Sequence, residues 1–181
     1  MTRNILHSIG RFSETEIGLF EKYAIKRSLN KNDVLLKEGQ VCQSVFYILS
    51  GSFYQFQIDE TGENILDLHI QNEWMFNQTS FINQSPSKTS IRAFSKAEVL
   101  ELNLYSLHEL IAASQAFLQL NRILDRANTR IHFFDYALSP VQKYNFIMET
   151  KPLLLQVFPL KMIASYLKIT PETLSRVRAN I

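Results

Sequence analysis

From Asp33 to Leu102 short β-rich runs alternate with turn residues, and this alternation constrains the fold more than any other feature of the sequence. The runs are Val34–Lys37, Val45–Leu49, Ser52–Ile58, Ile65–Ile70, Ser90–Phe94 and Glu98–Asn103. Between them lie Glu38-Gly39-Gln40, Ser50-Gly51, Asp59-Glu60-Thr61-Gly62-Glu63 and Asn83-Gln84-Ser85-Pro86, all turn chemistry. Six or more short strands at this spacing predict a small antiparallel barrel or jelly roll. The Asp59–Glu63 cluster reads as a hairpin tip.

Helical patterns flank the β region. Ser8 to Leu29 reads as helix, with Ser13 and Glu16 at capping-box spacing. After the strands, Leu110, Ala113, Phe117, Leu120, Leu124, Ala127, Ile131, Phe134 and Leu138 follow a 3-4 repeat in which all nine positions are apolar. Such a stripe predicts one long helix resembling a coiled-coil seam. It fits a dimerisation helix, with Phe117, Leu120, Leu124, Ala127, Ile131 and Phe134 as seam, or a helix lying along its own β domain. Ser139-Pro140 breaks the pattern, and Pro140 fits the first position of a helix running to about Thr150.

The last stretch, Pro159 to Arg178, predicts two short helices joined by a tight turn. Ile163 and Leu167 share one face, as do Leu174 and Val177, and Ile169 falls between the helices. Thr170-Pro171-Glu172 is a helix start: hydroxyl cap, proline, then an acid in the first turn. Glu172, Thr173 and Arg176 then point outward, and such side chains can read base edges. Lys168, Thr170 and Arg178 suit phosphates. The pattern is that of a helix-turn-helix DNA reader, although a plain helical hairpin has the same periodicity. Lys168 stands where such turns often carry glycine.

Charge follows the same division. Residues 1–121 hold 10 Lys+Arg against 13 Asp+Glu, and residues 122–181 hold 9 against 4. A basic C-terminal third suits a polyanionic partner. The single Cys42 excludes an internal disulfide, and no signal peptide or membrane span is recognisable, so cytoplasm is the expected location. His7, His69, His108 and His132 are scattered without metal-ligand spacing, and no catalytic motif appears, so neither a metal nor an enzymatic activity is expected.

The order helix, β-roll, long helix, helix-turn-helix resembles the Crp/Fnr superfamily of cyclic-AMP-receptor-like transcription regulators. Three stretches carry the resemblance: Glu38-Gly39-Gln40 with Val45 to Ser52, Ile91-Arg92-Ala93-Phe94 with Ala97 to Leu102, and Pro159 to Arg178. Ile169-Thr170-Pro171-Glu172-Thr173-Leu174-Ser175-Arg176 is similar to the short Bacteroidetes-type members. The resemblance implies an α+β fold: residues 1–105 as a cyclic-nucleotide-binding-like β-roll, 106–138 as the dimerisation helix and 139–181 as the DNA-binding domain. It also implies double-stranded DNA, a second copy of the chain and RNA polymerase as partners, and no membrane.

One departure bears on ligand. Members that bind cyclic AMP carry a Gly-Glu pair for the ribose and, about ten residues on, an arginine for the cyclic phosphate. Here Phe76-Asn77 and Ser87-Lys88 stand in those places. The ribose acceptor and the bidentate phosphate clamp are both lost, so cyclic AMP is not expected to bind, and no cofactor is named. The polar side chains left in the region, Asn77, Gln78, Thr79, Ser80, Ser87, Lys88 and Thr89, form a possible effector pocket. His132 and Phe133 on the long helix are expected beside it. The leading expectation is a dimeric, sequence-specific transcription regulator. The alternative is a small-molecule-binding β-roll with a degenerate DNA-binding domain, because the sequence ends at Ile181 without an evident β-hairpin wing.

Overall fold

The computed structural model describes residues 1–60, 62–124 and 138–180. Helices α1 (Thr2–His7) and α2 (Glu14–Tyr23) come first. Strands β1 (Ile25–Leu29), β2 (Val34–Leu36), β3 (Ser44–Ser50), β4 (Ser52–Asp59), β5 (Gly62–Ile70) and β6 (Trp74–Met75) follow. Helix α3 (Gln78–Asn83) separates them from β7 (Ser90–Ala93) and β8 (Ala97–Asn103). Two antiparallel sheets, ordered β1-β8-β3-β6 and β2-β7-β4-β5, make the roll. Their facing side chains, among them Val45, Ile48, Phe53, Met75, Ile91, Val99 and Leu102, form the first core. Removing each such side chain from water contributes roughly 1.5–3 kcal/mol.

The six predicted strands are all present. The hairpin tip is present too, with Asp59 opposite Gly62. Gly51 turns β3 into β4 at φ +84, and a Cβ there would lie 2.5 Å from the Lys96 carbonyl oxygen, so glycine is required. The expected helix from Ser8 to Leu29 is corrected. The Ser13–Glu16 capping box exists, but α2 ends at Tyr23 and Ile25–Leu29 is a strand. Four of its five residues are exposed, so little periodicity marks it. It is a strand because β8 pairs with it, backed by Arg27–Glu101 at 2.7 Å and Lys26–Glu98 at 3.0 Å.

The single long helix from Leu110 is also corrected. Helix α4 (Leu104–Ala113) stops, and a 3-10 helix (Gln115–Asn121) starts after Ser114, which is extended at φ −153. The Ser114 hydroxyl accepts from the Ala116 amide and donates to Glu16 at 2.6 Å, so a serine in mid-stripe offers the backbone a cap instead of a further turn. Phe117 and Leu120, expected at a dimer seam, are buried in the core of their own roll, and Leu124 packs against it half-buried. Ala127, Ile131, His132, Phe133 and Phe134 lie outside the described residues.

Among the described residues from 138 on there are four helices: α5 (Pro140–Thr150), α6 (Leu154–Val157), α7 (Leu160–Tyr166) and α8 (Pro171–Ala179). Ser139 closes a capping box on α5, with Pro140 in its first turn. These helices do not form a separate ball. Tyr144, Ile147, Leu154, Phe158, Ile163, Leu167, Leu174 and Val177 share a second core with Tyr54, Phe56, Ile65, Leu68 and Ile70 of β4 and β5. The Ile65 amide donates to the Ser165 hydroxyl at 2.9 Å, and Lys151 bridges to Glu73 at 2.9 Å.

Candidate functional site

The helix pair α7–α8 has the local chemistry its sequence predicts. Thr170 caps α8 by accepting from the Thr173 amide at 3.2 Å, and Pro171 opens the helix. Leu174 and Val177 are buried, and Ala164 is fully buried at the level of Ile163 and Leu167. The turn is made by Lys168 in the left-handed region at φ +54, a cost of about 1–2 kcal/mol. An outside contact steadies that turn: the buried Lys143 ammonium of α5 donates to the Leu167 carbonyl at 3.0 Å. A cation at the end of α7 also opposes the helix dipole.

The opposite face of α8 is open. Glu172, Ser175, Arg176 and Arg178 are exposed, whereas Thr173 is half-buried with its hydroxyl 3.0 Å from that of Thr170. Hydrogen bonds from its own amide and from the Thr170 hydroxyl hold the Glu172 carboxyl below the usual range, with a smaller pull from Arg176. It therefore stays an acceptor. Thr170, Glu172, Arg176 and Arg178 lie where the sequence predicts them.

Lys168 does not stand with them alone. It lines a cavity of about 520 Å³ between the roll and the turn, together with Tyr166. The roll contributes Gln55, Leu66, Asp67, His69, Trp74 and Phe76, along with the cassette from Asn77 to Ser80 and from Ser85 to Thr89. The predicted pocket residues Asn77, Gln78, Thr79, Ser80, Ser87, Lys88 and Thr89 are thus brought together. Gln78 also donates to the Leu124 carbonyl at 3.1 Å.

Most of the cassette is buried and bonded to itself. Asn77 caps α3 by accepting from the Ser80 amide and donates to Ser87 at 2.9 Å and Thr89 at 2.7 Å. Ser87 donates to the Thr89 carbonyl at 2.7 Å, and Gln55 donates to the Thr89 hydroxyl at 2.7 Å. Phe76 is buried against Phe81, with centroids 5.5 Å apart. The short side chains of the cassette are therefore bonded to one another along the cavity wall, and Lys88 is exposed beside them.

Residues 26–114 match the profile of the family described as Cyclic nucleotide-binding domain. That match spans the β-roll and stops before the C-terminal helices. The fold as a whole has regulators of the Crp/Fnr type as structural neighbours. FixK2 from Bradyrhizobium japonicum is 15% identical, with a TM-score of 0.67 over 87% of this chain and 83% of that one. The catabolite activator protein of Thermus thermophilus is 20% identical, with a TM-score of 0.59 over 97% and 85%. The c-di-GMP-responsive global regulator CLP of Xanthomonas campestris is 15% identical, with a TM-score of 0.60 over 93% and 91%. No curated protein matches by sequence. At these identities the likeness is one of fold.

Sequence reasoning missed Tyr166, Lys168, Trp74, Asp67 and His69 as cavity walls. Asp67 and His69 share one face of β5 by strand period, a weak signal. Nothing local marks Tyr166 and Lys168, because their place depends on how the helices dock.

Proposed function

We propose that the chain is a sequence-specific DNA-binding transcription regulator that acts as a homodimer and does not respond to cyclic AMP. The observation that carries this reading is the exposed Glu172–Ser175–Arg176 face of α8, a capped helix held on an apolar core shared with the roll. A helix of this kind fits the major groove, where Arg176 pairs with guanine and Glu172 accepts from cytosine. In a dimer two such helices would enter successive grooves about 34 Å apart. Leu124, Ala127, Ile131, Phe134 and Leu138 keep the seam spacing after Phe117 and Leu120 are assigned to the roll. The self-bonded cassette supports the insensitivity to cyclic AMP, since a cyclic phosphate would have to displace hydrogen bonds already made. No helix among the described residues is long and apolar enough to cross a membrane.

Selection of bound duplexes from random DNA tests the reading. A palindromic site should emerge, and Arg176→Ala should cost about 1–3 kcal/mol and relax one base position. Equal weakening on every duplex would remove Arg176 from base reading, and failure to enrich any site would remove the function. Calorimetric titration with cyclic AMP should give no saturable heat.

A further inference from the structure

We propose that Lys143 of α5 is a positioning residue for base reading: its ammonium, through the Leu167 carbonyl, fixes the direction in which α8 leaves the turn. The assignment rests on the DNA reading above.

The turn between α7 and α8 is closed largely by its own backbone. The Leu167 amide donates to the Ile163 carbonyl at 2.9 Å, the Lys168 amide to that of Ser165 at 3.0 Å and the Ile169 amide to that of Ala164 at 3.0 Å. The last two bonds, around a left-handed residue, make a helix stop that usually carries glycine where Lys168 stands. The Leu167 carbonyl has no donor within that pattern. The Lys143 ammonium supplies one at 3.0 Å. That carbonyl belongs to the peptide plane entering Lys168, so its hydrogen bond restrains the φ of +54 on which the turn depends.

A lysine is an unfavourable residue to bury here on packing grounds alone. Lys143 is 9% exposed, and among the described residues no carboxylate pairs with it. An ammonium taken from water without a carboxylate is disfavoured, and an apolar side chain of similar volume serves stability at least as well. An apolar side chain cannot hold the carbonyl. The element that carries Lys143 also touches the second helix of the pair: α5 packs against α8, with Tyr144 and Ile147 in one core with Leu174 and Val177.

The lever is long enough to matter. Arg176 lies six residues past the Thr170 cap, about 9 Å along the axis of α8. A tilt of about 10° at the turn moves it by about 1.6 Å, against the roughly 0.5 Å range of a good hydrogen-bond distance. Apolar contact at Leu174 and Val177 is non-directional and does not by itself prevent such a tilt.

Lys143→Met fills the same space without a donor, and Lys143→Gln is the second neutral variant should the first fold poorly. Lys151→Met is the structural control, since it removes the ion pair to Glu73, away from the turn. Binding to the duplex selected from random DNA is compared with binding to a scrambled duplex. Lys143→Met should weaken the selected duplex about tenfold and the scrambled one less than about twofold. Lys151→Met should lower the urea midpoint and leave that ratio unchanged. Arg176→Ala should weaken the selected duplex about tenfold or more in the wild type and less than about threefold in Lys143→Met, because a misaimed arginine has little left to lose. Amide hydrogen exchange at Lys168 and Ile169, relative to β3 and β8, should quicken about tenfold in Lys143→Met and not in Lys151→Met. Equal weakening of both duplexes, additive losses with Arg176→Ala, or the same loss of selectivity in Lys151→Met overturns the assignment. Unchanged exchange at Lys168 and Ile169 overturns the restraint of the turn. If no duplex is enriched, the DNA reading fails and the role in base reading fails with it, while exchange still decides whether Lys143 holds the turn.

Discussion

Phe158→Ala should destabilise the whole chain and not only its C-terminal helices. Phe158 is 4% exposed in the second core, and its ring lies 4.9 Å from that of Phe94, which follows β7. Burial of a phenylalanine contributes about 1.5–3 kcal/mol, and an aromatic pair about 0.5–1.5 kcal/mol more. The sum agrees with the roughly 3–5 kcal/mol measured for such truncations. For a chain of this size that shifts the melting temperature by about 10 °C. The assay is urea unfolding followed by Trp74 fluorescence, which reports the roll, and by far-UV circular dichroism, which reports the helices. The two traces should coincide in the wild type and move together in the variant, because β4 belongs to both cores, with Phe53 in the first and Tyr54 and Phe56 in the second. A loss below about 1 kcal/mol, or a helical transition that moves while the Trp74 trace stays, would refute the shared core.

Other expectations follow from single contacts. Gly51→Ala meets the Lys96 carbonyl at a positive φ and should cost at least about 2 kcal/mol in denaturant unfolding. Ser165→Ala leaves the Ile65 amide without its acceptor and should cost about 1–2 kcal/mol by the same measurement. Hydrogen bonds from Ser114, then from Ser13, hold the Glu16 carboxyl below its ordinary value. Its stabilising contribution is therefore complete above the unfolded-state value and is lost as the pH falls through the lower, folded-state value. Ser114→Ala should move the acid-unfolding midpoint to higher pH.

Much of the roll was legible because its signals are local. Alternating runs, glycine turns and the Asp59–Glu63 cluster act within a few residues of themselves. The caps at Ser13 and Thr170 and the helix start at Pro140 were legible for the same reason. What escaped depended on distant partners. Ile25–Leu29 is a strand through β8, and Phe117 and Leu120 face their own roll because Ser114 turns the chain beside Glu16. The docking of the helices did leave one trace. Phe53 and Tyr54 are adjacent on β4 and both buried, so that strand is covered on both faces. The exposed face of α8 could be read from spacing, whereas the cavity wall could not, since Tyr166 and Lys168 reach it only after docking.

The ammonium of Lys143 on the Leu167 carbonyl has a consequence for modularity. The angle between α7 and α8 is not an internal property of that pair. It is set in part from α5, which supplies the cation at the point where a left-handed lysine must hold the turn. A graft of residues 159–180 onto another scaffold would lose that brace and present Arg176 at an altered angle. The smallest transplantable unit begins at Ser139, and even that piece would expose Ile163 and Leu167 unless the recipient offered them an apolar strand pair like β4 and β5.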